Sequence, residues 1–337
     1  MTNENLKMTF DQLQRYRLAV DLIEEVRRKK PLSILDAGSR EGFLDNFLPG
    51  DQIIGIDRSD FIGDRFIKGD VLCLPFRDNS FDVVLTLDVL EHIAVFDRLA
   101  FIEELVRVSD DTIIIGAPFE NNEVAEAEKL AIEFCEKMTG VKNEFLVEHL
   151  IEGLPDLGEI IAWAEDRGLP AVVLPNGYIY NWFLMICLNF YLAQIKDPWE
   201  FIFAVNQFYF NRFYTEDNRE PSYRHFVVIN KRGRMAPEDL AEKFIYRDSP
   251  VSMPDLGSVL EEINHILDFV YQEMISGLTE EKENLRLERN ELIVKLETAL
   301  AELNGIKSTI PYRMYKKTLG RLMNKSGLSS DDPHQQR

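Results

Sequence analysis

The sequence predicts an α/β protein built on an open, mostly parallel sheet with helices on both faces. In the first third of the chain, short β-branched runs alternate with helical patterns, which is the layout of parallel strands joined by crossover helices. The chain of 337 residues is 45% hydrophobic, which is enough to bury a sizeable core. Its three cysteines, Cys73, Cys135 and Cys187, are far apart in the chain, so neither a disulfide framework nor a structural zinc site is expected.

Four strands are predicted before residue 118, each a short apolar run: Ser33–Ala37, Gln52–Asp57, Asp82–Leu87 and Thr112–Ala117. Helices are predicted at Phe10–Arg28, after Gly42 and at Ala94–Val108, where apolar residues recur with a period of about 3.6. Right-handed crossovers between such strands give an open sheet whose ligands bind at the carboxyl ends of the strands.

The pattern after Pro118 becomes helical before two further strands. Helices are predicted at Glu120–Thr139 and Leu157–Arg167, and strands at Ala171–Leu174 and His225–Asn230. Between these last two strands lies a helical insertion, about residues 178–222, in which Tyr178 to Tyr214 hold 14 of the 36 aromatic residues. The insertion either fills an accessory core or forms a cap that contacts a sugar, a lipid or a dimer partner.

Beyond a linker at residues 236–255, the sequence predicts a C-terminal coiled coil at residues 256–305. Leu256, Leu260, Ile263 and Leu267 follow heptad spacing, and leucines at intervals of seven resume after Gly277. The alternative is a long helical hairpin that turns at Gly277. Because a solitary amphipathic helix buries its apolar seam only against a partner, we expect a homo-oligomer.

The last segment, residues 306–337, is a basic amphipathic tail whose end is expected to be disordered. Seven lysines and arginines stand there against two aspartates. Such a tail is suited to peripheral contact with an anionic membrane surface, and the alternatives are packing on the acidic body or a frayed end.

The overall charge excludes one class of partner. The formal net charge is −20, and a field of that sign repels phosphate backbones, so no nucleic-acid partner is expected.

The first twenty residues lack the order of an export signal, and the apolar stretch beginning at Trp182 is too short to span a bilayer. We therefore expect a cytoplasmic protein, with the tail as its contact to the inner face of the membrane.

The most informative motif is residues 33–44, SILDAGSREGFL. A strand ends at Asp36, Gly38 allows a tight turn, and Gly42 allows close approach where the next helix begins. The next strand ends at Asp57, the position at which a nucleotide-binding sheet places the acid that accepts hydrogen bonds from ribose hydroxyls.

Two further motifs follow, KGDVLCLPF at residues 68–76 and FDVVLTLDVLEHI at residues 81–93. Together and in this order, the four motifs resemble a class I S-adenosylmethionine-dependent methyltransferase. The resemblance covers residues 30 to 118, and reaches about residue 232 if the later strands complete the sheet. It implies a Rossmann-like methyltransferase domain over residues 1–235 and S-adenosylmethionine as cofactor.

The resemblance also implies roles for individual residues. Asp36 and Gly38 would line the methionine end of the cofactor, Asp57 would bind the ribose, and Asp70 with the backbone of Val71 would meet the adenine. Leu87 and Asp88 would lie beside the sulfonium. The complete predicted cofactor set is Asp36, Ala37, Gly38, Gly42, Asp57, Arg58, Asp70, Val71, Leu87 and Asp88. The family often has a glycine where this chain has Arg40.

A hydride-transfer enzyme fits the loop less well. Nicotinamide-binding loops use G-x-G-x-x-G against a pyrophosphate at a helix N-terminus. This loop has no G-x-G, and Glu41 precedes Gly42. A sulfonium carries no phosphate, so acids near the loop are less costly.

Methyl transfer from a sulfonium mainly requires in-line positioning, but a hydroxyl acceptor usually needs a base. His92 is the leading catalytic candidate because it follows a strand at the cofactor edge, and Asp88 or Glu91 are the alternatives. A histidine at this position is often structural in the family. His149 is interpreted as a buried polar residue, and no cluster at metal-ligand spacing is apparent, so no metal is predicted.

A weaker resemblance concerns the acceptor. The segments around His149 and residues 174–182 are similar to methyltransferases associated with surface-polysaccharide genes. This implies a sugar, glycan or glycolipid oxygen as methyl acceptor. The alternatives are a lipid or small aromatic acceptor, or a cofactor-binding scaffold that acts through its coiled coil.

Overall fold

The computed structural model describes residues 7–39, 42–60, 65–195, 197–233, 236–246 and 282–299, together with residues 279, 302, 314 and 316–318. The chain divides into two compact units, Met1–Ile266 and Leu267–Arg337. The first part of the predicted heptad seam and most of the basic tail lie outside the described residues. In the second unit residues 282–299 are helical, and the coiled coil stays a prediction.

The first unit is built on one seven-stranded sheet. Its strands are β1 (Ser33–Ala37), β2 (Gln52–Asp57), β3 (Phe66–Lys68), β4 (Phe81–Leu87), β5 (Ser109–Pro118), β6 (Ala171–Tyr178) and β7 (Ser222–Asn230). Their spatial order is β3-β2-β1-β4-β5-β7-β6. The first five strands pair in parallel, whereas β7 runs antiparallel to β5 and β6. The predicted open, mostly parallel sheet is confirmed.

Helices cover both faces of this sheet. They are α1 (Phe10–Val26), α2 (Leu44–Phe47), α3 (Arg98–Val108), α4 (Asn122–Thr139), α5 (Glu144–Glu152), α6 (Leu157–Asp166), α7 (Ile179–Leu192), α8 (Trp199–Arg212) and α9 (Pro237–Phe244). Apolar residues of α1 and α9 pack on one face of the strands. Apolar residues of α3 and α6 pack on the other face, so the sheet is buried on both sides as parallel sheets require.

Three elements were not predicted from the sequence. Strand β3 has only three residues, one of them the exposed Lys68, and gives no alternating pattern. Helix α5 lies in a segment with no predicted element, and α9 lies in the predicted linker. The predicted sixth strand ended at Leu174, whereas β6 continues through Pro175 to Tyr178. It can do so because β6 is an edge strand, which tolerates a residue that has no N–H.

Helix α3 begins later than its apolar period predicts. The predicted helix starts at Ala94, whereas the structure has a 3₁₀ turn at Val95–Asp97 and the α-helix begins at Arg98. Phe96, which the periodicity assigned to the buried face, is 85% exposed. The predicted start is therefore wrong by about one turn.

The predicted helical insertion lies between the last two strands as expected and consists of α7 and α8. Its largest aromatic side chains, Trp182, Phe201 and Tyr209, are buried. The ring of Tyr209 meets Phe10 of α1 edge to face, with the ring centroids 4.6 Å apart. Much of the insertion thus fills an accessory core, while Tyr180 on the same helices is 67% exposed.

A buried carboxyl group ties the insertion to α1. Asp217, which is fully buried, accepts hydrogen bonds from Gln14 Nε2 at 2.6 Å, from Asn181 Nδ2 at 3.0 Å and from the Tyr209 hydroxyl. Burial raises the pKa of Asp217 to about 6, although these donors oppose the shift.

Among the described residues no helix is long and apolar enough to cross a membrane.

Candidate functional site

The loop after β1 is shaped by a buried acid and a glycine. Asp36 is 2% exposed, and the Tyr16 hydroxyl lies 3.4 Å from its Oδ2. Gly38 has a φ of +88°, and a Cβ at this position would lie 2.2 Å from Cγ2 of Val89. The Gly38 N–H donates to the carbonyl of Ile56 at 2.7 Å. Only glycine fits this turn, which brings the ends of β1, β2 and β4 together.

A cleft of about 500 Å³ opens beside this loop. Its lining includes Asp36, Ser39 and Gly42 from the loop and Gly55 and Phe66 from β2 and β3. The predicted loop residues are therefore brought together, with Ala37 buried beneath them. Arg40 lies outside the described residues.

The ends of β2 and β3 carry the next predicted residues. Asp57 Oδ1 accepts a hydrogen bond from the N–H of Ser59 at 2.7 Å, and the Gly69 N–H donates to the Asp57 carbonyl at 2.9 Å. Asp70 Oδ1 accepts from the N–H of Leu72 at 3.0 Å and from Arg58 at 2.9 Å. The Leu72 hydrogen bond, aided by Arg58, lowers the pKa of Asp70.

Val71 and Leu87 are both buried near these strand ends. Val71 follows Asp70 directly, and Leu87 ends β4. The predicted cofactor residues thus lie at the carboxyl ends of β1, β2, β3 and β4, which are adjacent in the sheet, although Asp57 and Asp70 do not line the cleft.

Asp88, at the end of β4, lies in a buried ion cluster that the sequence did not reveal. Its two carboxylate oxygens each lie 2.5 Å from the Arg224 guanidinium, and Arg15 Nη1 lies 3.1 Å from Oδ2. Asp11 contacts the same two arginines, at 2.8 Å from Arg224 and 2.5 Å from Arg15. Two acids and two arginines thus balance in charge.

This cluster is strongly perturbed by its surroundings. Burial acts to raise the pKa of Asp11, but Arg224 and Arg15 lower it to about 2. Arg224 is fully buried, and although burial lowers its pKa, Asp88 and Asp11 together raise it well above its ordinary value. Both Asp88 oxygens are held by arginines, so the geometry disfavours Asp88 as a base. Asp88 itself has a φ of +53°, a conformation that aspartate tolerates better than most residues.

A second cluster lies one turn further along the chain. Glu91 and His92 belong to the 3₁₀ turn Leu90–His92, and His149 lies in α5. One ligand atom from each of these three side chains falls within 4.8 Å of the others. The prediction of no metal rested on residue spacing in the sequence, whereas this set forms only in the folded chain. The set was missed because His149 is distant in sequence and was interpreted as a buried polar residue.

His92 is the more accessible histidine of this cluster. Its side chain is 24% exposed, and its Nδ1 lies 2.9 Å from Glu148 Oε2. Burial, then the neighbouring His149, lower the pKa of His92. Glu91 is 1% exposed, and burial, with the charge of Asp88, raises the pKa of Glu91 well above its ordinary value.

Part of the chain is similar to known methyltransferases. Residues 35–111 match the sequence profile of a methyltransferase domain family. An uncharacterised protein of Methanocaldococcus jannaschii is 31% identical over 100 residues, which cover 28% of this chain and 44% of that protein. Norajmaline N-methyltransferase of Rauvolfia serpentina is 46% identical over 44 residues, or 13% of this chain and 14% of that enzyme. The chain therefore matches less than half the length of these curated relatives.

Similar solved structures include a possible histamine N-methyltransferase of Thermotoga maritima, with a TM-score of 0.41 and 15% identity over 66% of this chain and 91% of that one. Another is magnesium protoporphyrin IX methyltransferase of Synechocystis with bound SAM, with a TM-score of 0.38 and 14% identity over 66% of this chain and 80% of that one.

Substituting Gly38→Ala should destabilise the loop far more than substituting Gly140→Ala. Both glycines have positive φ, +88° and +78°, but a Cβ at Gly140 meets nothing within 4 Å. Backbone strain costs about 1–2 kcal/mol in both variants. The clash with Val89 adds about 1–3 kcal/mol in Gly38→Ala alone. Urea denaturation measures both values.

Adding Val89→Ala should recover part of the loss caused by Gly38→Ala. Equal destabilisation of the two glycine variants, or no recovery in the double variant, would show that the loop does not need the close approach.

Proposed function

We propose that this chain, whose residues 35–111 match the profile of a methyltransferase domain family, is an S-adenosylmethionine-dependent methyltransferase. The observation that carries the proposal is the meeting of Asp36, Gly38, Asp57 and Asp88 at one edge of the sheet. When bound there, the cofactor supplies an electrophilic methyl group on a sulfonium.

The residues at this edge suit such a cofactor. Asp36 is a buried acid beside the turn at Gly38, and together they form an acidic hollow for the cationic methionine end. The Asp57 carboxylate has one oxygen anchored by the Ser59 N–H, which orients it to accept ribose hydroxyls. Asp70 and the backbone of Val71 would take the adenine, and Arg58 orients Asp70 through its 2.9 Å contact.

The protein's part in the reaction is to position the acceptor and to receive its proton. His92 is the candidate base, since its ring is partly accessible and its lowered pKa leaves a neutral imidazole at pH 7. Glu148 at 2.9 Å would orient that ring. The buried Glu91 is the alternative, whereas the ion pairs of Asp88 support a structural role for that residue.

We propose a sugar, glycan or glycolipid oxygen as the acceptor. Supporting this are the aromatic insertion and its exposed Tyr180 and Tyr191, since sugar rings stack on aromatic side chains. A lipid or small aromatic acceptor is the alternative, and Leu184, 66% exposed on the same helix, would favour it.

The proposal includes a homo-oligomer formed through the C-terminal helix. In residues 282–299, which are helical, Leu285, Leu292 and Leu296 are each 59–60% exposed in the single chain. Their spacing of seven and four places them on one face, which a second copy would cover. We also propose a cytoplasmic location, with the basic tail in contact with the membrane. The alternative to an enzyme is a non-catalytic scaffold that acts through its coiled coil.

The cofactor proposal predicts binding of S-adenosylhomocysteine. Isothermal titration calorimetry on the full chain should give one site per chain, and Asp57→Asn should weaken binding by about 10- to 100-fold, because it removes a charged acceptor worth about 1.5–3 kcal/mol. Asp60→Asn is the matched control. It removes the same charge from the same loop, but the Asp60 side chain is 87% exposed and pairs with Lys68.

A folded wild-type chain that does not bind S-adenosylhomocysteine contradicts the methyltransferase proposal. Equal affinities of the two variants contradict the ribose role of Asp57 alone.

The acceptor proposal predicts which extract fraction becomes labelled. Incubation with a methyl-labelled donor should label nucleotide-sugar or glycolipid fractions, and that label should survive removal of quinones and phospholipids. Label confined to the quinone or phospholipid fractions contradicts a sugar acceptor. A chain that binds S-adenosylhomocysteine but labels no fraction supports the scaffold.

A further inference from the structure

The cluster of Glu91, His92 and His149 contains buried polar atoms that have no hydrogen-bond partner among the described residues. Glu91 and His149 are 1% and 6% exposed. In the part of the chain that the structure describes, neither Glu91 Oε2 nor His149 Nε2 has a hydrogen-bond partner, and His149 Nε2 lies 4.0 Å from Glu91 Oε1. Leaving such atoms unsatisfied destabilises a fold, so a buried pair of them calls for an explanation.

The second ring nitrogen of His149, Nδ1, is held by a buried carboxylate. Its Nδ1 lies 2.7 Å from Glu128 Oε1, and the same oxygen accepts the hydroxyl of Tyr223 at 2.9 Å. The carboxylate is an acceptor, so Nδ1 carries the proton and Nε2 presents its lone pair toward Glu91. Carboxylates hold the ligating histidines of metal sites in this way.

The supporting residues are themselves rigid. Glu128 is 1% exposed, and the ring of Tyr223 stacks on Trp182 with the centroids 3.6 Å apart. Trp182 in turn donates from Nε1 to Asp11 at 3.2 Å. The orientation of His149 is therefore determined by packing that extends into the insertion and the ion cluster.

We propose that Glu91, His92 and His149 bind one divalent transition-metal cation. Two imidazoles and one carboxylate form a donor set suited to Mn²⁺, Fe²⁺, Co²⁺ or Zn²⁺, whereas Ca²⁺ and Mg²⁺ prefer oxygen ligands alone. Glu148, 2.9 Å from His92 Nδ1, and Glu128 add negative charge around the ion. With three protein ligands, the ion keeps at least one position for water or an oxygen of a ligand.

To bind one ion, the three ligand atoms would have to move slightly closer together. Ligands about 2.1 Å from one ion lie about 3–4 Å from each other, whereas the present atoms lie within 4.8 Å. Because His149 Nε2 and Glu91 Oε1 are already 4.0 Å apart, rotation of the half-buried His92 ring would supply most of the adjustment. This assignment competes with a base role for His92, because a metal-bound nitrogen has no lone pair for a proton. Metal binding itself does not depend on the methyltransferase proposal.

The test is metal titration of the full chain without an affinity tag, after removal of metals with a chelator. Co²⁺ is the first probe, since its visible absorption reports protein ligands, and calorimetry with Mn²⁺ and Zn²⁺ follows. We expect one ion per chain with micromolar or tighter affinity. His149→Gln and Glu91→Gln should each weaken binding at least tenfold. Glu128→Gln, which loosens the orientation of His149 and removes a nearby negative charge, should weaken it by about 10- to 100-fold.

The matched control is His225→Gln. His225 pairs with Glu220 at 2.6 Å on β7 and is not a member of the cluster, so its loss should leave affinity unchanged. If a cluster variant fails to fold, pulsed electron paramagnetic resonance of the Cu²⁺-loaded wild type replaces it, and two imidazole nitrogens should couple to the copper. Absence of binding, affinity that is insensitive to the cluster variants, or fewer than two coupled imidazoles overturns the proposal.

Discussion

The buried ion pair between Arg224 and Asp88 is the interaction on which the functional edge of the sheet depends. Arg224 is fully buried on β7, and Asp88 stands at the end of β4. Both charges are costly to bury, and their contacts with each other and with Asp11 and Arg15 offset that cost, aided by hydrogen bonds from Arg224 to Gln14 and Asn176. The pair therefore locks three elements that are distant in sequence, α1, the end of β4 and β7, into one arrangement.

This ion pair fixes the position of Asp88 and so affects the two proposed sites beside it. Next to it, at the proposed cofactor edge, Val89 packs against the turn at Gly38, and Leu87 ends β4. After it, the chain makes the short turn that carries Glu91 and His92. The proposed cofactor site and the proposed metal site thus both draw on the six-residue segment from Leu87 to His92, in which Arg224 of β7 holds the Asp88 side chain.

The insertion also contributes to these sites. Trp182 contacts Asp11 through Nε1 and Tyr223 through its ring, and Tyr223 contacts Glu128, the partner of His149. The accessory core therefore supports both clusters, which gives its buried aromatics a role that the composition alone did not reveal.

Local patterns predicted much of the fold and the cofactor edge. Strands β1 and β2 have the predicted bounds because each is a short apolar run that ends beside an acid: β1 ends at Ala37, just after Asp36 and before Gly38, and β2 ends at Asp57. The Arg224 cluster was beyond prediction, since Arg224 lies 136 residues from Asp88 and 213 from Asp11. Spacing rules detect ligands within one element, so they also missed His149 as a neighbour of Glu91. Such pairings arise only when tertiary packing brings elements together.

A double-mutant cycle between Arg224→Gln and Asp88→Asn, measured by urea denaturation, tests the central claim most directly. If the buried pair holds the edge of the sheet, the two substitutions should be strongly non-additive, with a coupling free energy of about 2 kcal/mol or more. Additivity to within about 0.5 kcal/mol would contradict the account, because it would mean that Arg224 and Asp88 stabilise the fold independently.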